Sequence, residues 1–326
     1  MLVGCGHMGA AHLDEIYCKD NIDLVGVVDY NEEKARHFAD KYRAQHWDTD
    51  YTRMLENRNV DIVIIATYPS SHLSILKKCL ERGKHVICEK PIANTLEDGK
   101  EFVKLVKESN SKVLVGYILR HNLSYQKVGE MIRSDAIGSP IIIRMVQNHH
   151  TIDWDRYLKL IKETSPIIDC GVHYVDVIRW FTQEEVIDIN GVGIRTEQDV
   201  PEDKYNYGII TLKMSGGSVA YYEAGWSNTM SSTNVKEFIG PKGSIKLIQK
   251  NDRYTHQEEG DLIEYYQYPE QTYKPININC IRKPTGAQLD YLISMIENDA
   301  DSIPSIDDVY KSFEIVMSAD KLIRSK

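Results

Sequence analysis

Residues 1–13 read MLVGCGHMGAAHL, and the spacing of Gly4, Gly6 and Gly9 in this stretch decides how the rest of the chain is read. In a G-x-G-x-x-G turn the first glycine permits a tight reversal and the second lets backbone approach a pyrophosphate. The third lets the following helix pack on its strand with its N-terminus toward the phosphates. Glycines recur by chance, so the pattern needs context. A helical stretch follows, then the apolar run NIDLVGVVD (21–29), ending in Asp29, 20 residues after Gly9. An acid at that distance meets the ribose 2′-hydroxyl of a dinucleotide. It would repel a 2′-phosphate, which favours NAD over NADP. The plainer reading is a glycine turn with Asp29 merely capping the next helix. His7 and Met8 lie inside the same candidate cofactor loop.

Only Met1, Leu2 and Val3 precede Gly4, whereas a first parallel strand usually runs about five or six residues. The expectation is that the natural chain extends upstream of Met1. Mass spectrometry of the protein from its host would then show additional N-terminal residues.

The first third alternates β-branched runs with amphipathic helical patterns. The runs are 21–29, VDIVIIAT (60–67), KHVICE (84–89) and SKVLVGY (111–117); the helical patterns include 31–42, with Asn31 as N-cap, and 95–110, with Phe102, Val103 and Val106 as its apolar stripe. Alternation of this kind predicts an α/β domain, a doubly wound parallel sheet with ligands at the carboxyl ends of its strands. Beyond about residue 120 the grammar changes. Helical stretches at 122–134 and 165–182 are followed by strand-like segments at 140–150, 205–214, 217–227 and 243–250, separated by turns such as Ser215-Gly216-Gly217. Strands joined by tight turns predict a largely antiparallel open sheet in an α+β domain. Helical patterns at 285–298 and 305–325 close the chain. The expected domains are residues 1–119, a Rossmann-type dinucleotide-binding domain, and residues 120–326, for substrate binding and oligomerisation.

At 326 residues the chain is long enough for two domains. Its net charge of −9 argues against a nucleic-acid partner, and no run approaches the roughly 20 apolar residues of a membrane helix. Six scattered cysteines without a C-x-x-C pair are neither a disulfide framework nor a zinc site, and point to a cytoplasmic protein. No metal is expected: His149 and His150 are adjacent, so on a strand they point to opposite faces. The glycine loop lacks the G-K-[ST] ending of a P-loop.

Two further stretches carry candidate chemistry. VICEKPIANT (86–95) closes a strand with Glu89-Lys90-Pro91, and Pro91 disfavours the α region for Lys90, placing it in extended or turn geometry near the ligand edge. A lysine there can stabilise a developing alkoxide, though an isolated one is more often a solvated surface residue. In ETSPIIDCGVHYVDVIRWF (163–181), Ser165 and Pro166 read as N-cap and first helical residue. Asp169 and His173 then fall at i and i+4, with Asp176 three further on. An Asp beside a His can orient it as a general base, and the same spacing also describes an ordinary surface pair. Trp154 and Tyr157, expected in a 150–165 loop, and Trp226 at a strand end are consistent with polyol binding.

Taken in order, the glycine loop, ATYPSSH (66–72), Glu89-Lys90-Pro91, DCGVHYVD (169–176) and the C-terminal DSIPSIDDVYKSFEIVMSADKLIRSK resemble the Gfo/Idh/MocA family, named for glucose-fructose oxidoreductase and inositol dehydrogenase. The resemblance implies a hydride exchanged between a nicotinamide and a secondary hydroxyl of a sugar, cyclitol or related polyol. It places the family's catalytic lysine on Lys90, its aspartate on Asp169 and its histidine on His173. Cofactor-side positions fall on Thr67, Tyr68, Pro69, His72, Glu89 and Lys90, and Arg120 matches an arginine that can face substrate. It also implies a homodimer or homotetramer formed through the second sheet, which the tyrosines at 205, 207, 221 and 222 would suit. Ser165-Pro166-Ile167-Ile168 departs from the glycine-rich run of many relatives, at the border of the substrate. A non-catalytic dinucleotide sensor and an NAD-using glycosidase of the same fold family are the alternatives; a sensor would be expected to have lost the lysine or the histidine, and this chain keeps both.

Overall fold

The apolar runs of the first third form strands shorter than the runs themselves. The computed structural model describes residues 1–17, 19–250 and 260–325. It contains β1 (Leu2–Val3), β2 (Gly26–Val28), β3 (His46–Asp48), β4 (Ile62–Ile65), β5 (His85–Cys88) and β6 (Val113–Val115). Helices α1 (His7–Ile16), α2 (Glu32–Tyr42), α3 (Tyr51–Leu55), α4 (Pro69–Glu81) and α5 (Leu96–Glu108) alternate with them. The strands are all parallel in the order β3-β2-β1-β4-β5-β6, which is the doubly wound sheet that the alternation predicts. Much of 21–25 is turn: Ile22 N donates to Lys19 O and Val25 N to Asp23 O. Strand β1 pairs with β2 on one side and β4 on the other. The helices start where side chains replace missing backbone partners. Asn31 accepts from Lys34 N at α2, and Thr95 from Asp98 N at α5.

The second unit holds α6 (Leu123–Arg133), β7 (Ile142–His150), α7 (Trp154–Glu163), α8 (Pro166–Asp169), α9 (Gly171–Thr182), β8 (Val186–Ile194), β9 (Tyr207–Met214), β10 (Val219–Ser227), β11 (Thr233–Gly240), β12 (Gly243–Ile248), β13 (Asp261–Gln267) and β14 (Thr272–Ile278). Its eight strands run β14-β13-β12-β11-β7-β10-β9-β8, antiparallel except for the parallel pair β7–β10. One face is apolar and covered, with Ile143, Met145, Ile210, Leu212, Tyr222 and Phe238 buried.

Three expectations are corrected here. The 150–165 loop is mostly the helix α7: Asp153 accepts from Arg156 N, and Trp154, Tyr157, Leu158 and Ile161 fall at helical spacing against Val200 and Trp226. The helix expected over 165–182 is two helices meeting at Cys170. Of the four tyrosines offered for an interface, Tyr205 and Tyr222 are buried. Tyr205 donates to Asp320 Oδ1 at 2.7 Å and Tyr222 stacks on Tyr174. Tyr207 and Tyr221, on the other face by register, stay half-buried.

By contacts the chain divides into Met1–Ile118 with Lys283–Lys311, and Leu119–Arg282 with Ser312–Lys326. Residues 283–311, expected in the second domain, thus belong to the first. The reason is apolar: Leu289, Leu292 and Met295 of α10 (Thr285–Glu297) join Leu2, Leu13, Val27 and Ile64 in one buried cluster. Polar ties add to it, with Thr285 Oγ1 donating to Ala11 O at 2.9 Å and Tyr117 to Val309 O at 3.1 Å. Helix α11 (Ile306–Arg324) starts in the first unit and ends in the second. Among the described residues no helix is long and apolar enough to cross a membrane. Cys18, counted among the scattered thiols, lies outside the described residues.

Candidate active site

In the first unit the candidate site is built largely from backbone. Gly4, at φ +102°, donates its N–H to Val28 O at 2.8 Å. A Cβ on Gly4 would lie 2.5 Å from Ala66 O, and one on Gly9 only 2.1 Å from Gly4 O, so neither position admits a side chain. Gly6, the N-cap of α1, is different: nothing lies within 4 Å of its absent Cβ. The N-terminus of α1 therefore has open space at Gly6, a cradle that fits the diphosphate of a dinucleotide. His7 and Met8 form the first turn of the helix behind it.

Asp29 follows β2 with its carboxylate fixed by two amides: Oδ2 accepts from Cys5 N and Oδ1 from Asn31 N, each at 2.9 Å. The residue that caps α2 is Asn31, so helix capping does not account for Asp29. Burial, reinforced by the charge of Asp29, pushes the Cys5 thiol up to about 12.

The turns after β4 and β5 lie at the same carboxyl edge of the sheet. Tyr68 is exposed at the N-cap of α4, Pro69 is its first residue, and Thr67 accepts a hydrogen bond from Ser71 Oγ at 2.7 Å. His72 is wholly buried, with Nδ1 2.9 Å from Pro91 O and Nε2 3.1 Å from Thr67 O. It ties the β4 and β5 turns together through their carbonyls, and its ring presents no exposed edge. Burial lowers its pKa against the pull of those two acceptors. Glu89 is also buried, its carboxylate against Gly116 and accepting from His12 Nε2 at 2.8 Å. Burial would raise the Glu89 pKa, but the hydrogen bond and charge of His12, with Lys90 and His72 nearby, hold it below the ordinary value. Lys90 is half-buried between β5 and the cis Lys90–Pro91 peptide.

In the second unit side chains meet side chains. Asp169 ends α8, whose N-cap Ser165 accepts from Ile168 N, and Cys170 Sγ donates to Asp169 Oδ2 at 3.5 Å. His173 lies in the first turn of α9, its N–H bonded to Cys170 O at 3.1 Å. The two side chains are thus carried by successive helices, with Cys170 between. His173 Nδ1 is buried, although the residue as a whole is partly exposed.

Arg120 makes a bidentate pair with the buried Asp176, Nε to Oδ2 at 2.8 Å and Nη2 to Oδ1 at 2.9 Å, and lies over the Trp180 ring. That engagement fits a structural role at least as well as a substrate contact. Tyr157 packs edge-on against Trp226, and its hydroxyl lies 3.0 Å from His149 Nδ1. Burial pushes the Tyr157 pKa up. Trp226 itself is buried. Burial, with the charge of Arg120, takes His121 down to about 4.

Two residues at the glycine loop escaped the sequence reading. His12 could have been found by its place on α1 facing the sheet. Lys283 could not: it is 276 positions from His7, yet its Nζ lies 2.7 Å from His7 Nε2 and 3.7 Å from Met8 Sδ.

Comparison with known proteins gives the family. Residues 1–117 match the model of the GFO/IDH/MocA oxidoreductase family, NAD-binding Rossmann fold, and residues 125–246 match the GFO/IDH/MocA C-terminal domain. Inositol 2-dehydrogenase of Rubrobacter xylanophilus is 25% identical over 254 residues, covering 76% of this chain and 70% of that protein. Oxidoreductase P35 of Formosa agariphila is 26% identical over 289 residues, covering 84% of this chain and 87% of its own. The crystal structure of myo-inositol 2-dehydrogenase from Lactobacillus plantarum superposes with a TM-score of 0.81 at 18% identity, over 98% of this chain and 95% of that one.

Proposed function

Because the chain belongs to the Gfo/Idh/MocA oxidoreductase family, we propose that it is a dehydrogenase passing a hydride between NAD and a secondary hydroxyl of a cyclitol, sugar or related polyol. The observation that carries this reading is the carboxyl edge of the first sheet, where the open cradle at Gly6, the fixed carboxylate of Asp29 and Lys90 lie together. The inositol dehydrogenases among its relatives support the substrate class.

The NAD preference rests on Asp29. Held by Cys5 N and Asn31 N, its carboxylate keeps acceptor capacity for ribose hydroxyls and opposes a 2′-phosphate. The backbone N–H groups at Gly6 and His7 bind the diphosphate. When bound, the nicotinamide supplies the hydride acceptor. His173 takes the hydroxyl proton at Nε2, since Nδ1 is turned away from solvent. Asp169 orients that exchange, and Lys90 donates to the substrate oxygen as negative charge develops on it. His72 and the His12–Glu89 pair hold the Lys90 turn in shape from behind. Tyr157 is assigned to the substrate side, with the buried Trp226 as the ring it packs against.

We further assign the outer face of the eight-stranded sheet to self-association as a homodimer or homotetramer. Ile142, Val192, Ile194 and Val219 share that face by register and are exposed. The acidic composition and scattered thiols suit a cytoplasmic enzyme.

The test is NADH appearance with inositols, aldoses and sugar acids, run beside NADP and a His173→Ala control. Turnover with NAD that the substitution abolishes is the expected result. Undiminished turnover in both His173→Ala and Lys90→Ala overturns the mechanism, and silence across the panel with NAD bound overturns the dehydrogenase reading.

A further inference from the structure

We infer that Lys283 is a diphosphate-binding residue of the dinucleotide site, an assignment that rests on the cofactor reading proposed above. Its ammonium lies 2.7 Å from His7 Nε2 and 3.7 Å from Met8 Sδ, in the first turn of α1 and beside the open cradle at Gly6. A cation at a helix N-terminus stands at the end where the helix dipole is already positive, so position alone gives it no stabilisation. A diphosphate arriving at the Gly6 cradle reverses that sign. Backbone N–H groups, helix dipole and ammonium then converge on one anion, and charge-assisted hydrogen bonds are the strong ones.

Lys283 is also held in place, unlike a surface lysine on a mobile loop. Two residues later Thr285 Oγ1 donates to Ala11 O at 2.9 Å, and Pro284, Thr285 and Gly286 are buried where α10 begins. Lys19 bonds Asp290 one turn further along, at 2.7 Å. The first tie joins α10 to α1 and the second joins it to the segment after α1, so the backbone bearing Lys283 is fixed to the helix whose N-terminus faces the cradle. The lysine itself is only partly buried, which leaves its ammonium accessible to a ligand. His7, on the other side of the contact, accepts from Lys283 and holds the long side chain over the first turn.

The experiment is calorimetric binding of NAD, NADP, ADP and adenosine to the full chain and to Lys283→Gln and Lys283→Arg, without substrate. Loss of one charge-assisted hydrogen bond to a phosphate weakens Lys283→Gln by roughly tenfold for the preferred dinucleotide and for ADP. Adenosine, which has no phosphate, is expected to bind both proteins within twofold, and Lys283→Arg to restore most of the ADP affinity. Equal ADP affinity in wild type and Lys283→Gln overturns the inference alone. So does equal weakening of ADP and adenosine, which would mark Lys283 as a structural brace. A wild-type protein that binds neither dinucleotide nor ADP overturns the cofactor reading, and this inference with it.

Discussion

The two units build their candidate residues from different material. At the edge of the parallel sheet, main-chain groups do most of the work: Gly4 donates to Val28 O, Asp29 is held by two amides, and His72 spans two carbonyls. In the second unit the polar groups hold one another through side chains, as in Arg120–Asp176, Tyr157–His149 and Cys170–Asp169. The first kind has almost no room for substitution, because a Cβ at Gly9 meets a carbonyl 2.1 Å away. The second kind can be altered one hydroxyl or one ring at a time. Within one chain, backbone fixes the glycine-loop edge of the first sheet, and side chains shape the polar contacts of the second unit.

That contrast can be broken by measurement. The largest effect is expected from His173→Ala: turnover falls about a thousandfold, within the usual span for a lost general base, while dinucleotide affinity is unchanged. A matching loss of dinucleotide binding would show that the halves are not separable. Next comes acid. Burial and the Arg120 charge hold His121 at about 4 against an ordinary 6.5, so the unfolded chain takes up the proton first as pH falls. Stability is complete above about pH 6.5 and is lost down to about pH 4, by up to about 3 kcal/mol. Denaturant titrations at several pH values should show this slope, flattened in His121→Gln. Gly9→Ala is expected to cost about 1–3 kcal/mol, read as a lower urea midpoint, and to weaken NAD binding more than tenfold. Normal NAD affinity in this variant would erase the distinction drawn for the backbone half. The smallest effect belongs to Tyr157→Phe, which keeps the ring on Trp226 and removes the hydroxyl near His149. About 1 kcal/mol of stability is the expected change.

Legibility follows the same division. The glycine loop, the Asn31 cap and Ser165-Pro166 obey local rules, in which one residue type answers one backbone need, and they can be read without knowing the fold. Asp29 was legible as a position, but the amides of Cys5 and Asn31 that fix its carboxylate emerge only in three dimensions. Helix α7 had a readable signal in Asp153 and the spacing of Trp154, Tyr157, Leu158 and Ile161. The break at Cys170 had none, since Asp169 to His173 is helical spacing in the sequence. Burial of Tyr222 depends on strand register, which a single slip would invert, and that of Tyr205 on its distant partner Asp320. Lys283 and α10 lie beyond any local rule, because tertiary packing alone returns them to α1.

The return of α10 also sets a timetable for synthesis. A ribosome that has released residues 1–118 has already delivered the glycine loop, Asp29 and Lys90. The apolar surface that Leu289, Leu292 and Met295 cover nevertheless stays in water until the whole second sheet has emerged. The first unit is begun first and completed only after the second sheet has emerged. A chain terminated anywhere before Lys283 therefore leaves an open core, a substrate for chaperones and proteases rather than a smaller dinucleotide binder.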